Sequence, residues 1–137
     1  MTTKDAGDIR WIQRFEHFEK AFAELKLAVA VDEPSRLERA GLIQFYEMSF
    51  ELAWKVMKDY LDAEGYDIQS PRAAIKQAFQ SGVIEDGETW LNALKDRNLT
   101  VHTYDESTAK EIERRIRRAY FPNLAKLYTT LQARITP

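Results

Sequence analysis

No cysteine occurs anywhere in the chain, which excludes disulfides, thiolate-bound zinc, iron–sulfur clusters and a cysteine nucleophile. Glycine and proline are scarce, five and four, too few to punctuate a many-stranded β-fold, so helices are favoured. Only two histidines are present, His17 and His102. With the carboxylates scattered, no metal-ligand spacing emerges, and neither a metal nor a cofactor is expected. P-loop, dinucleotide and nucleophile-elbow signatures are missing as well. No apolar run approaches the roughly 20 residues that span a bilayer. The segment "MTTKDAGDIR" lacks the apolar core of a signal peptide, so a cytoplasmic protein without membrane contact is expected. The formal net charge of −2 gives no global attraction to nucleic acid; any such contact needs a local patch.

What is present is the composition of an ordinary globular domain, 45% hydrophobic and 31% charged over 137 residues. One domain over residues 1–137 is expected, with an ordered core of about residues 8–132. Trp11, Phe15, Phe18, Phe22, Leu25 and Val29 alternate at spacings of four and three, one apolar stripe of an amphipathic helix. "VDEPSR" breaks it at Pro34. A second helix over about residues 37–64 stops at Gly65. It is apolar over most of its circumference, with a narrow charged line through Glu47, Glu51, Lys55 and Lys58 or Asp62. Such a helix belongs at the centre of a bundle or under a partner chain.

"SPRAAIKQAFQSG" reads as a short third helix with Ser70 as N-cap, Pro71 in the first position and Gly82 as terminator. Asp86 can cap a fourth helix carrying Trp90, Leu91 and Leu94. The last helix starts near residues 105–107. It aligns Ile112, Ile116, Tyr120, Leu124, Leu127 and Leu131, and Pro122 should kink it. No repeat, low-complexity segment or second domain is visible. The expected fold is an all-α bundle of four long helices plus a short one.

The stretch "DRNLTVHTY" over residues 96–104 departs from this plain pattern. Trp90, Leu94 and Val101 extend the stripe of the fourth helix, and Arg97 and Asn98 fall inside it. A buried, unpaired guanidinium is expensive, so Arg97 should be paired, exposed in a cleft or placed at an interface. On an unbroken helix Arg97 and His102 would point about 140° apart. The β-branched Thr100, Val101 and Thr103 and the capping residues of "YDES" favour a break near His102. A break there lets the imidazole swing back beside Arg97, with Tyr104 leading into the next helix. An equally open reading pairs Arg97 with Glu47 or Glu51 as a lock between helices, with His102 as a polar cap.

Two charged surfaces allow similar alternatives. Glu51 and Lys55 form an i,i+4 pair of favourable orientation; alternatively, Glu47 or Glu51 meets Arg97 at a cleft with Lys55 near phosphate. "KEIERRIRRAY" places Lys110, Arg114 and Arg118 at helical spacing. They form either a solvated face balanced by Glu111 and Glu113 or a patch for RNA or a partner protein.

"RNLTVHTY" resembles the R-N-x3-H-x-Y signature of HEPN domains. "YEMSFELAWKVMKDYL" and "GVIEDGETWLNALKDRN" resemble the branch of nucleotidyltransferase substrate-binding proteins. The likeness runs over about residues 11–131. It implies an up-and-down four-helix bundle that forms a homodimer and works beside a separately encoded minimal nucleotidyltransferase. Members of the wider group are metal-independent endoribonucleases, often toxins. Their nucleotidyltransferase acts as antitoxin, adding AMP to the motif tyrosine, here Tyr104. An older reading makes such a protein a non-catalytic subunit that presents a nucleotide or RNA to the transferase. All motif positions are kept, and no G-S-x-D signature is present, so the chain is not the transferase itself.

The resemblance gives Arg97, Asn98, His102 and Tyr104 catalytic roles; beside them, Asp96, Glu47, Glu51 and Lys55 are read as substrate-binding or supporting residues. Attack of an RNA 2′-hydroxyl on the adjacent phosphate requires removal of one proton and supply of another. Histidine suits that work because it titrates near neutrality. Arginine offers a permanent planar fork to the phosphate. Asn98 can hold the phosphate or the imidazole tautomer, and Tyr104 can donate to phosphate or stack on a base. His17 lies off the apolar stripe among charged residues and reads as a surface residue, so a two-histidine mechanism needs two chains.

Overall fold

A computed structural model describes residues 6–99 and 105–135. Six α-helices follow in order: α1 (Ala6–Val29), α2 (Arg36–Ala63), α3 (Pro71–Gln80), α4 (Gly87–Leu99), α5 (Glu106–Arg115) and α6 (Phe121–Ile135). A π-turn (Ile116–Tyr120) joins α5 to α6 into one rod. The described residues contain no strand, so the expected all-α bundle is what the chain forms. None of these helices is long and apolar enough to cross a membrane.

Local chemistry sets most helix ends. Ser35 accepts from the backbone of Glu38, and Glu38 reciprocates to Ser35, a complete capping box that starts α2. Ser70 caps α3 with Pro71 just inside, as expected. Gly65 and Gly82 hold φ of +101° and +75°, a region that L side chains avoid, and so let the chain leave α2 and α3.

Helix α2 is the hub. It packs against α1 along the most extensive pairing in the molecule and also touches α3, α4, α5 and α6. This is why so much of its circumference is apolar: Leu42, Tyr46, Phe50, Ala53, Met57 and Leu61 are buried. Trp11, Phe15, Phe18, Phe22 and Leu25 of α1 join the same core, as their spacing predicts. Arg117 donates to the carbonyls of Val29 and Val31 at 2.6 and 2.7 Å. It thereby satisfies carbonyls that the end of α1 leaves orphaned. Glu113 accepts from both Arg39 and Arg117. Burial works to raise its carboxyl, but the two guanidiniums outweigh it and hold the group below its ordinary value.

Pro122 acts differently from the expected simple kink. It has no N–H for the carbonyl of Arg118 and its ring crowds that carbonyl. The helix answers by widening: the N–H of Phe121 reaches back five residues to Ile116. The apolar positions Ile112, Ile116, Tyr120 and Leu124 run at three successive spacings of four. In a regular α-helix that series drifts by about 120°. With the wide turn all four remain buried.

Candidate functional site at the end of α4

Helix α4 is started by Asp86, which accepts from the backbone and hydroxyl of Thr89 at 3.1 and 2.6 Å. Those bonds, the hydroxyl's first, hold its carboxyl below the usual value. Trp90 and Ala93 face the core, and Leu91 and Leu94 pack at its edge. The buried line then continues to Asp96, only 3% exposed. The expectation that Arg97 and Asn98 sit inside the buried stripe is therefore corrected. The side chain of Arg97 is 37% exposed, and Asn98 lies on the surface. The physical reason is the side of α4 that meets the rod: it carries Ala93 and Asp96, and Asp96 is held there by Arg115 and Tyr120.

Arg97 pairs with α2, as expected of it both as a lock between helices and as a cleft residue. Its Nη2 lies 3.2 Å from Glu51 Oε2. Lys55 Nζ lies 3.5 Å from the other oxygen of the same carboxylate. Glu51 thus bridges two cations on adjacent helices. Glu47, one turn earlier, makes no ion pair among the described residues. His102 and Tyr104, with the rest of residues 100–104, lie outside the described residues. The helix break expected near His102 lies outside the described residues as well. Asp105 has extended backbone (φ −79°, ψ 118°) and caps α5 through the N–H of Ser107.

Asp96 has its own partners. Arg115 Nη1 donates to both its oxygens at 2.9 and 3.1 Å, and the hydroxyl of Tyr120 also donates to it. Burial first, and the bond to Asp96 second, push the Tyr120 phenol well above its ordinary value. Arg115 and Tyr120 are five residues apart, a separation that points about 140° apart in an α-helix. They meet on one carboxylate because the π-turn, with its i→i+5 bonds, lies between them. Tyr46 stacks on Tyr120 with ring centroids 5.6 Å apart and donates to the carbonyl of Ala93 at 2.6 Å. Burial raises its phenol strongly as well. Neither Arg115 nor Tyr120 stood out in the sequence, although the repeated four-residue spacing around Tyr120 carried the signal.

The basic residues of the last helix are divided. Arg118 faces a cleft beside α4, whereas Lys110 and Arg114 line a separate hollow with Asp32, Glu33 and Arg39. Among the described residues no three His, Asp or Glu side chains cluster as metal ligands.

The family described as "Nucleotidyltransferase substrate binding protein like" matches residues 13–133. The chain belongs to that family. Its relatives carry two descriptions. It is 32% identical over 78 residues to a probable ribonuclease HepT of Haemophilus influenzae, covering 53% of each chain. The chain thus spans about half the length of this curated relative in the match. A crystal structure of a protein from Thermus thermophilus superposes with a TM-score of 0.74 at 36% identity, covering 88% of this chain and 99% of that one. HI0074 of Haemophilus influenzae superposes with a TM-score of 0.72 at 26% identity, covering 86% and 98%. That structure is described as revealing the fold of a substrate binding domain of a nucleotidyltransferase.

Proposed function

We propose that this protein is the HEPN component of a two-part system with a separately encoded minimal nucleotidyltransferase, and that it cleaves RNA without a metal. The observation that carries the reading is Arg97. It is held by Glu51 at the last turn of α4, immediately ahead of the segment that supplies His102 and Tyr104. Glu51 orients the guanidinium, and the side chain stays more than a third exposed, so a phosphate can approach it. Arg97 then steadies the negative charge that builds on the phosphate as the 2′-hydroxyl attacks. His102 moves the proton, Asn98 orients, and Tyr104 donates to a phosphate oxygen. The named relationship to a probable ribonuclease supports this assignment.

A second chain completes the site in this reading. Met48, 42% exposed, and Leu52, partly buried against the core, stand one turn apart beside Glu51 on α2. A twofold contact along that apolar strip brings two Arg97 and two His102 side chains to one cleft. The nucleotidyltransferase partner restrains the enzyme, with Tyr104 as the residue that accepts AMP. The runner-up reading is a non-catalytic subunit holding a nucleotide or RNA for the transferase, favoured by the family description and by HI0074.

Incubation with RNA in EDTA separates the two. Wild type is expected to cleave, leaving a cyclic phosphate, and to sediment as a dimer. His102→Ala and Arg97→Ala are expected to lose at least about 100-fold in rate. Binding without cleavage by wild type would establish the subunit reading instead.

A further inference from the structure

A cleft of about 560 Å³ opens between α4 and the rod, on the side of α4 away from the Glu51 bridge. Its walls carry Lys95, Arg115 and Arg118 against a single carboxylate, Asp96. Asp96 is already answered by two bonds from Arg115 and one from Tyr120. Lys95 and Arg118 make no ion pair or hydrogen bond among the described residues, and both are exposed. Arg115 gives Nη1 to Asp96 and Nε to Glu111 at 3.3 Å, so its Nη2 is left with no partner among the described residues. Glu111, outside the cleft, is itself divided between Arg114 and Arg115. The lining therefore presents two cations in excess.

Charge alone calls for an anion; shape and chemistry narrow the choice. The volume falls within the roughly 300–1,000 Å³ of small-molecule sites and is far larger than a bare phosphate needs. Leu99, 42% exposed, and Ala119 give an apolar wall. Asn92 adds an amide, and the Thr89 hydroxyl, whose proton goes to Asp86, adds an acceptor; such neutral groups hydrogen-bond sugars and base edges. Cations beside an apolar wall, an amide and a hydroxyl acceptor match a phosphate carrying a sugar and a flat ring.

We infer that this cleft binds one nucleoside monophosphate unit, its phosphate on Lys95 and Arg118 with Arg115 Nη2, its base against Leu99 and Ala119. The unit is either a free mononucleotide or one residue of an RNA strand. The inference stands on the cleft and needs no cleavage by the segment after Arg97.

Calorimetric titration of the full chain with each of the four ribonucleoside monophosphates and with a hexamer of adenylate tests it. Inorganic phosphate and an Arg97→Ala variant serve as controls. Binding is expected to weaken at least about tenfold in Lys95→Gln/Arg118→Gln and to fall with salt. The helical circular dichroism is expected to stay unchanged, because both side chains are exposed. Ligand should also shift the side-chain NMR signals of Asn92 and Leu99. Mononucleotide binding that survives in Arg97→Ala assigns the free nucleotide; hexamer binding alone assigns a strand residue. Failure of every nucleotide to bind, or binding indifferent to the double substitution, would overturn the inference. Loss of cleavage with nucleotide binding intact would instead sink only the ribonuclease reading.

Discussion

Asp96 and Arg97 are neighbours in sequence and opposites in circumstance. Asp96 points into the bundle, nearly inaccessible, and is gripped by Arg115 and Tyr120. Arg97 points towards α2, more than a third exposed, and touches a carboxylate that a second cation shares. One peptide step on a helix turns the side chain through about 100°. That rotation is enough to separate a buried side chain that ties α4 to the rod from one that stays more than a third exposed. Burial, and not charge or proximity to a motif, distinguishes them.

The contrast yields measurable differences. Asp96→Ala strands the buried Tyr120 hydroxyl and removes the partner of Arg115, and should lower unfolding free energy by about 2–3 kcal/mol in urea titration. A loss below about 1 kcal/mol would show that the carboxylate is no anchor. The tyrosines beside it offer a proton readout. Burial raises both Tyr46 and Tyr120. Their stabilisation is therefore fully present below the ordinary tyrosine value of about 10 and is lost as pH rises through the folded-state values. Phenolate absorbance should show these two ionising only as the fold opens in alkali; smooth titration of all six tyrosines near a pH of about 10 would contradict this. Arg97→Ala should change stability least, by less than about 1 kcal/mol, because its ion pair is partly solvated. A cost equal to that of Asp96→Ala would erase the distinction between the two sides.

Much of the bundle was legible before any coordinates. The stripe from Trp11 to Leu25, the caps at Ser70 and Asp86 and the glycine stops follow from periodicity and backbone chemistry, which act locally. The apolar girth of α2 rightly indicated a hub. The partner of Arg97 was open between Glu47 and Glu51, because a charge on a helix edge meets whichever neighbour packing provides. The burial of Asp96 was not legible. It depends on which side of α4 meets Arg115 and Tyr120 on the rod, a tertiary arrangement that no single-helix pattern encodes. The π-turn was half visible: three spacings of four do not fit one face of an ordinary helix, and the proline two residues beyond Tyr120 supplies the cause.

That wide turn leaves the rod with one residue more than a regular helix over the same length requires. Shortening it by one, with Pro122 replaced so that the ladder can close, would keep Leu124, Leu127 and Leu131 in phase with the core. The casualty would be a side chain at the lip, where Arg118 and Ala119 stand. The molecule thus has a place where its outline can be trimmed or extended while its interior stays in step, and that place borders the hollow beside α4.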